Sequence, residues 1–361
     1  MKSVRIITVN SSIFGEQARA IECSLKEMGV CESALIQDNA KVDFNKHFDL
    51  NFLMKAFRPF PAGKLKGIKI LFQVEELWNR RESGYYDLSD GFDRILEMYD
   101  ENVKIPRGTG DVVYCPVGYS PVWESHLPEV EEDIDVLFYG SIIDRRLEFQ
   151  DALNKMHLNV IFTDDTYGIE RDELIMRSKI VLNIKAHKKW SYGPMHCLPV
   201  QANKKFMLAE KADGGYGPFK PEVHFSEYDG IEHCRHAINY WLKHEEERKQ
   251  FSLNAYKDMV KTCDFTEILR KALGAHPEKN LPSLLSIIEP KKVKVVKPKK
   301  VKNALTHFGT VNILGAKPKA EEPKVVTLKY ENFNIQPGMT TWTDMPADYK
   351  RDYLRMIDGK K

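Results

Sequence analysis

Residues Ile134 to Phe149 (Ile-Asp-Val-Leu-Phe-Tyr-Gly-Ser-Ile-Ile-Asp-Arg-Arg-Leu-Glu-Phe) constrain the fold more than any other stretch of the chain. Val136, Leu137, Phe138 and Tyr139 are apolar at consecutive positions, bounded by Asp135 and Gly140, which is the pattern of a short strand covered on both faces. Such a strand belongs to a parallel sheet flanked by helices, so the fold class is α/β. Gly140 permits a tight turn and close backbone approach, and Ser141 can cap a helix whose first turns carry Arg145 and Arg146. Helix-start amides, a hydroxyl and two guanidinium groups together suit a diphosphate, while an ordinary strand-to-helix turn with solvated arginines is the alternative this stretch leaves open.

Similar units recur along the chain. Val4–Val9 reads as a strand, Ala18–Met28 as a helix stopped by Gly29, and Ala34–Ile36 as the start of the next strand. Lys69–Val74 is a strand that runs into Glu75 and Glu76. The spacing predicts an amphipathic helix over Phe92–Tyr99 and a strand over Val112–Cys115. Further on, Leu158–Phe162, Ile180–Ile184 and Lys205–Ala209 read as strands, and Glu170–Ser178, Ile231–Lys243 and Glu246–Lys261 as helices. With 361 residues the chain can build two cores and an appendage. The composition change around the acidic run Glu129–Asp135 divides it into an N-terminal domain (1–125), a linker (126–134) and a second domain (135–279). From 280 to 361 the character shifts to a Lys-, Val- and Pro-rich linker containing Lys291, Lys292, Lys299 and Lys300, followed by an arm with enough aromatic mass to dock on a domain or a partner.

Composition excludes several classes. Hydrophobic residues at 42% and charged residues at 29% are a globular balance, and no apolar run is long enough to span a membrane. Met1 leads directly into strand-like sequence without a signal peptide's apolar stretch, so a cytoplasmic location is expected, the host's cytoplasm if the chain is viral. The six cysteines are scattered without metal-ligand spacing and are expected as reduced thiols; His233-Cys-Arg-His236 falls in a helix with no second cluster. A net charge of +2 leaves nucleic-acid attraction to local patches, of which Lys291–Lys302 is the strongest.

The second half resembles family-one glycosyltransferases of the GT-B fold, particularly those related to the CgeB spore-maturation proteins. The likeness rests on Asp135–Arg146, on Tyr167–Ile184 and on Ala202–Glu210. A looser likeness is to the bacteriophage DNA β-glucosyltransferases, through Ser12–Glu16 followed by Glu27-Met-Gly29, and through the Asp135, Val136, Gly140, Ser141 and Arg145 arrangement. What the resemblance implies is two facing Rossmann-like domains with a cleft between them and the C-terminal basic arm appended. It implies a nucleotide-sugar donor, a UDP-sugar first, with no tightly bound cofactor and no required metal. The donor would lie on Gly140, Ser141, Arg145, Arg146 and Lys185. Where such enzymes hold the donor ribose with a glutamate this chain has Met195–Gln201, leaving His196 or Gln201 as substitutes.

The same likeness sets the acceptor base at the end of the Lys69–Val74 strand, Glu75 first and Glu76 second, with Glu16 as a further candidate carboxylate and Ser12 beside the acceptor. A carboxylate there could take the acceptor's proton in an inverting reaction. The acceptor implied by the phage likeness is a hydroxymethylated pyrimidine base in double-stranded DNA, for which Trp78, Trp190 and Tyr192 are candidate stacking groups and Arg80 and Arg81 candidate phosphate contacts alongside the lysine arm. A surface polysaccharide, glycolipid or protein is the competing acceptor, and a non-catalytic sugar-nucleotide or DNA-binding module the competing class.

Overall fold

The apolar runs form two parallel sheets in a computed structural model of the chain. The structure describes residues 2–274 apart from 10, 55–59, 77–89, 106–110, 126, 129, 144, 165 and 187–191, and leaves the side chains of Ser11 and Ser12 undescribed. The first sheet contains β1 (Val4–Thr8), β2 (Ala34–Asp38), β3 (Leu50–Met54), β4 (Ile68–Gln73), β5 (Arg94–Glu97) and β6 (Asp111–Tyr114), in the order β2-β1-β3-β4-β5-β6. The second contains β7 (Ile134–Tyr139), β8 (Val160–Thr163), β9 (Ser178–Asn183), β10 (Met207–Glu210) and β11 (Ser226–Tyr228), in the order β11-β10-β9-β7-β8. Both lobes thus repeat one doubly wound order, in which strand addition reverses between β1 and β3 and again between β7 and β9. Ligands in such sheets gather at the carboxyl ends of strands beside the reversal.

Strand β7 shows why both faces are covered. Leu137 and Tyr139 enter one core with Val181, Cys197 and Leu198, whereas Val136 and Phe138 enter another with Phe149, Leu153, Cys234 and Ile238. The first core rests on α5 (Pro194–Ala202), and the second on α3 (Arg145–Leu153) and α6 (Gly230–Lys243). In the first lobe α1 (Ser11–Glu27) buries Phe14, Ala18, Ile21 and Leu25, one stripe at helical spacing. The remaining helices are α2 (Asp100–Val103), α4 (Gly168–Met176), α7 (Glu245–Thr262) and α8 (Phe265–Leu273). Among the described residues no helix is long and apolar enough to cross a membrane.

Two elements depart from the sequence reading. Phe92–Tyr99 contains strand β5 where spacing predicts a helix. Phe92, Ile95, Leu96 and Tyr99 imitate helical periodicity because the intervening Arg94 and Glu97 look solvated, yet both are buried. Arg94 pairs with Asp111 at 2.8 Å, and Glu97 accepts from Asn102 at 2.9 Å. The second departure is α8, which follows the second sheet in sequence and packs on the first lobe. Phe265 stacks on Phe72 of β4, Thr266 Oγ1 donates to Glu27 Oε2 at 2.9 Å, and Arg94 donates to the carbonyls of Ala272 and Gly274. Helix α8, inside the range 135–279, thus packs on the first lobe. The return crossing is close enough to require a glycine: a Cβ on Gly118 would sit 2.3 Å from the Cys263 carbonyl oxygen.

Candidate active site between the lobes

The carboxyl ends of β4, β7 and β9 converge on a pocket of about 160 Å³ lined by Glu75, Glu76 and Tyr99 of the first lobe and by Arg146, Asn183, Lys185, His196 and their neighbours of the second. This volume is smaller than the roughly 300–1,000 Å³ of a whole small-molecule site, so it accommodates one part of such a ligand. A larger groove of about 760 Å³ lies at the opposite, amino-terminal edge of the second sheet. There Glu132 already pairs with Lys205 and Arg248, and Lys249 with Glu245, which leaves its charges largely satisfied from within.

Gly140 lies behind His196 of the pocket wall. Its φ of +127° is open to glycine, and a Cβ would lie 2.7 Å from His196 Nε2. His196 stands in the first turn of α5, and burial together with Arg146 and Arg171 lowers its imidazole to about 3. It therefore stays neutral at physiological pH and can hydrogen-bond without titrating. Arg146 is buried, with Nε and Nη2 donating to the Ile184 carbonyl and Nη1 to the Ser141 carbonyl. Burial lowers its guanidinium to about 10, so it keeps its charge at neutral pH. Ser141 contributes its carbonyl to that bond, and its side chain is exposed. Lys185 lines the pocket, and its backbone N–H donates to Glu210 Oε2 at 3.0 Å.

Arg145 departs from the expected pairing with Arg146 on a phosphate. Its Nη1 and Nη2 donate to the two carboxylate oxygens of Glu210 at 2.6 and 2.5 Å, and Nη1 also donates to the Lys185 carbonyl. Its charge is neutralised within the protein, and it is not among the pocket-lining residues. Gln201 also turns away: it is buried and donates through Nε2 to the His224 carbonyl, which leaves His196 as the pocket residue from Met195–Gln201. Tyr192 reaches the pocket wall, but its fully buried ring stacks on Phe225 with centroids 4.2 Å apart. It has no face open to a nucleobase.

In the first lobe the chain leaves β4 with the Glu75 N–H donating to Gln73 Oε1 and the Glu75 carbonyl accepting from Asn102 Nδ2 at 2.7 Å. Both carboxylate residues line the pocket, Glu76 being the more buried. Glu16 lies elsewhere, bound by Arg171 of α4 through two hydrogen bonds at 2.8 and 2.9 Å. Burial opposes the Arg171 charge, but Asp172 and Glu16 outweigh it and hold the guanidinium above its ordinary value. Ser12 is in the first turn of α1. Trp78, Arg80, Arg81, Trp190, Lys291, Lys292, Lys299 and Lys300 lie outside the described residues.

Sequence reasoning passed over Tyr99, Asn102 and Asn183. Tyr99 is buried in the pocket wall, and burial, then Glu76 and Glu75, push its hydroxyl well above the usual range, so it remains a donor. It was hidden inside a segment read as helix. Among the described residues no group of three or more His, Cys, Asp or Glu side chains is gathered as a metal ion would need.

Two doubly wound parallel-sheet lobes facing one cleft, with a terminal helix returning to the first, constitute the GT-B fold of glycosyltransferases. Residues 124–273 match the protein-family model described as "Glycosyl transferase-like". Among solved structures the chain is similar to Anabaena HepE in complex with UDP-glucose (12% identity, TM-score 0.54, covering 75% of this chain and 98% of that one). It is also similar to T4 phage BGT in complex with UDP and Mn2+ (12%, TM-score 0.50, 75% and 99%). A third is an alpha-glucosyltransferase in complex with UDP-glucose and DNA containing an abasic site (10%, TM-score 0.50, 75% and 98%). No curated protein sequence matches the chain. Fold and family model together bear out the expectation of a GT-B glycosyltransferase.

Proposed function

We propose that this chain transfers a sugar from a nucleoside diphosphate, UDP first, to an acceptor hydroxyl in the pocket between the lobes. The observation that carries the reading is the juxtaposition of Glu75 and Glu76 from one lobe with Arg146, Lys185 and His196 from the other. The amino-terminal end of α5, with Gly193 and His196 in the same wall, adds the positive end of a helix dipole. In the reaction, the acceptor oxygen bonds to the anomeric carbon as the bond from that carbon to the diphosphate oxygen breaks. Arg146, Lys185 and the α5 terminus offset the charge that develops on the departing diphosphate. A carboxylate, Glu75 first and Glu76 second, takes the acceptor proton, as an inverting reaction requires. UDP or UDP-glucose in the similar structures supports the donor assignment.

For the acceptor we favour a hydroxymethylated pyrimidine base in DNA, within the cytoplasm of a cell or infected host. Support comes from the lysine run Lys291–Lys302 and from the DNA held by the similar alpha-glucosyltransferase. A hydroxyl of a surface polysaccharide, glycolipid or protein is the second reading, one that would not need the lysine run. The test is mass spectrometry of reactions pairing UDP-sugars with hydroxymethylated DNA, unmodified DNA and glycan acceptors. A mass gain on hydroxymethylated DNA alone is expected; gain on a glycan alone would move the acceptor to the second reading. Glu75→Gln and Glu76→Gln, measured separately, should between them identify the base by a loss of about 100-fold or more in turnover. Full turnover in both would remove the carboxylate step.

A further inference from the structure

We propose that Asn102, oriented by Glu97, is a positioning residue that aims the Glu75 and Glu76 carboxylates into the pocket, an inference that rests on reading one of them as the acceptor base. Asn102 Nδ2 donates to the Glu75 carbonyl at 2.7 Å and to Glu97 Oε2 at 2.9 Å. Both Asn102 and Glu97 are 0% exposed, although an apolar residue at either place would avoid burying polar groups. The Asn102 NH2 group faces both oxygens, one proton toward Glu97 and the other toward the Glu75 carbonyl. Glu97 thereby fixes the rotamer that grips the chain just beyond β4.

The surroundings tie this grip to the pocket. Gln73, the last residue of β4, is in register with Glu97, the last of β5, so the clamp closes where both strands end. From the sheet the chain runs through Tyr99, whose carbonyl accepts from the Asn102 N–H at 3.2 Å and whose ring forms pocket wall beside Glu75 and Glu76. One short turn therefore supplies a wall residue and holds the backbone from which the carboxylates project. A bond that only satisfied a buried carbonyl would need neither the Glu97 carboxyl nor this link to the wall.

The full-length protein would be assayed for turnover, donor KM, the pH profile of kcat and thermal midpoint. Asn102→Ala is expected to lower kcat about ten- to hundred-fold, the scale of a catalytic group displaced by less than an ångström or so, with donor KM within about two-fold and the acid limb of the profile shifted. Glu97→Gln keeps an acceptor for Asn102, so a smaller fall in kcat is expected. An unchanged kcat and pH profile in Asn102→Ala, with only a lower midpoint, would overturn the positioning role. Should Asn102→Ala not fold, unchanged kcat in Asn102→Leu, which keeps the volume but cannot donate, would overturn it equally. Full turnover in both Glu75→Gln and Glu76→Gln would remove the base reading and this inference together; loss of turnover in either, with Asn102→Ala unaffected, would overturn the positioning role alone.

Discussion

At the scale of single residues, His196 and Gly140 depend on each other. The imidazole occupies the space a side chain on Gly140 would need, and its burial makes it costly to charge. In the unfolded chain His196 takes up a proton as pH drops below 6.5, whereas in the folded chain it resists until about 3. Its contribution to stability is therefore intact above 6.5 and is lost as pH falls between those values, by up to about 1.4 kcal/mol per pH unit. The buried His224, also lowered by desolvation against the opposing pull of Asp258, adds a slope of the same sign. Urea midpoints of His196→Gln should accordingly fall less steeply than those of the parent between about pH 6.5 and 4. Equal slopes would mean that His196 is hydrated in solution.

The two neighbouring arginines separate by their partners. Arg145→Ala leaves Glu210 nearly buried without its cation and is expected to cost on the order of 3 kcal/mol of stability. Arg146→Ala is expected to weaken UDP binding by about 1.5–3 kcal/mol, the value of a hydrogen bond to a charged group, as read by calorimetry. The sequence could present both cations at the start of one helix, but the partner of Arg145 lies 65 residues further on, beyond the reach of any local pattern.

At the scale of elements, α8 shows both what the sequence discloses and what it conceals. Its buried positions Phe265, Leu269, Ala272 and Leu273 have helical spacing, but nothing in that spacing indicates that they face Phe72 and α1 and not the lobe they follow. Phe265→Ala should destabilise by about 3–5 kcal/mol, with hydrogen-exchange protection lost in α1 and β4 before the second sheet. Loss confined to the second lobe would contradict this docking. Strand β7 was legible because its apolar run admits only a doubly covered strand. Strand β5 was not, because the polar residues that suggested a solvated helix face, Arg94 and Glu97, are satisfied by Asp111, by α8 carbonyls and by Asn102. The catalytic carboxylate candidates were legible from their place at a strand end, whereas the asparagine that holds them was not.

At the scale of the whole molecule, the lobes are joined by the Gly118 crossing, by the return into α8, and by the ion pair between Glu16 of α1 and Arg171 of α4. The pair braces the cleft from outside the pocket. Glu16→Gln should leave Arg171 on Asp172 yet loosen the lobes, increasing the radius of gyration in solution scattering without changing helix content. An unchanged scattering profile would assign the pair to local packing. The central claim is that a sugar nucleotide reacts between the lobes, and donor hydrolysis tests it most directly. Release of UDP from UDP-glucose by the purified full-length protein should be followed without an acceptor, alongside the Arg146→Ala variant. The account predicts slow release by the parent and a marked loss in the variant; equal release by both, or neither binding nor release of any UDP-sugar by the parent, would contradict it.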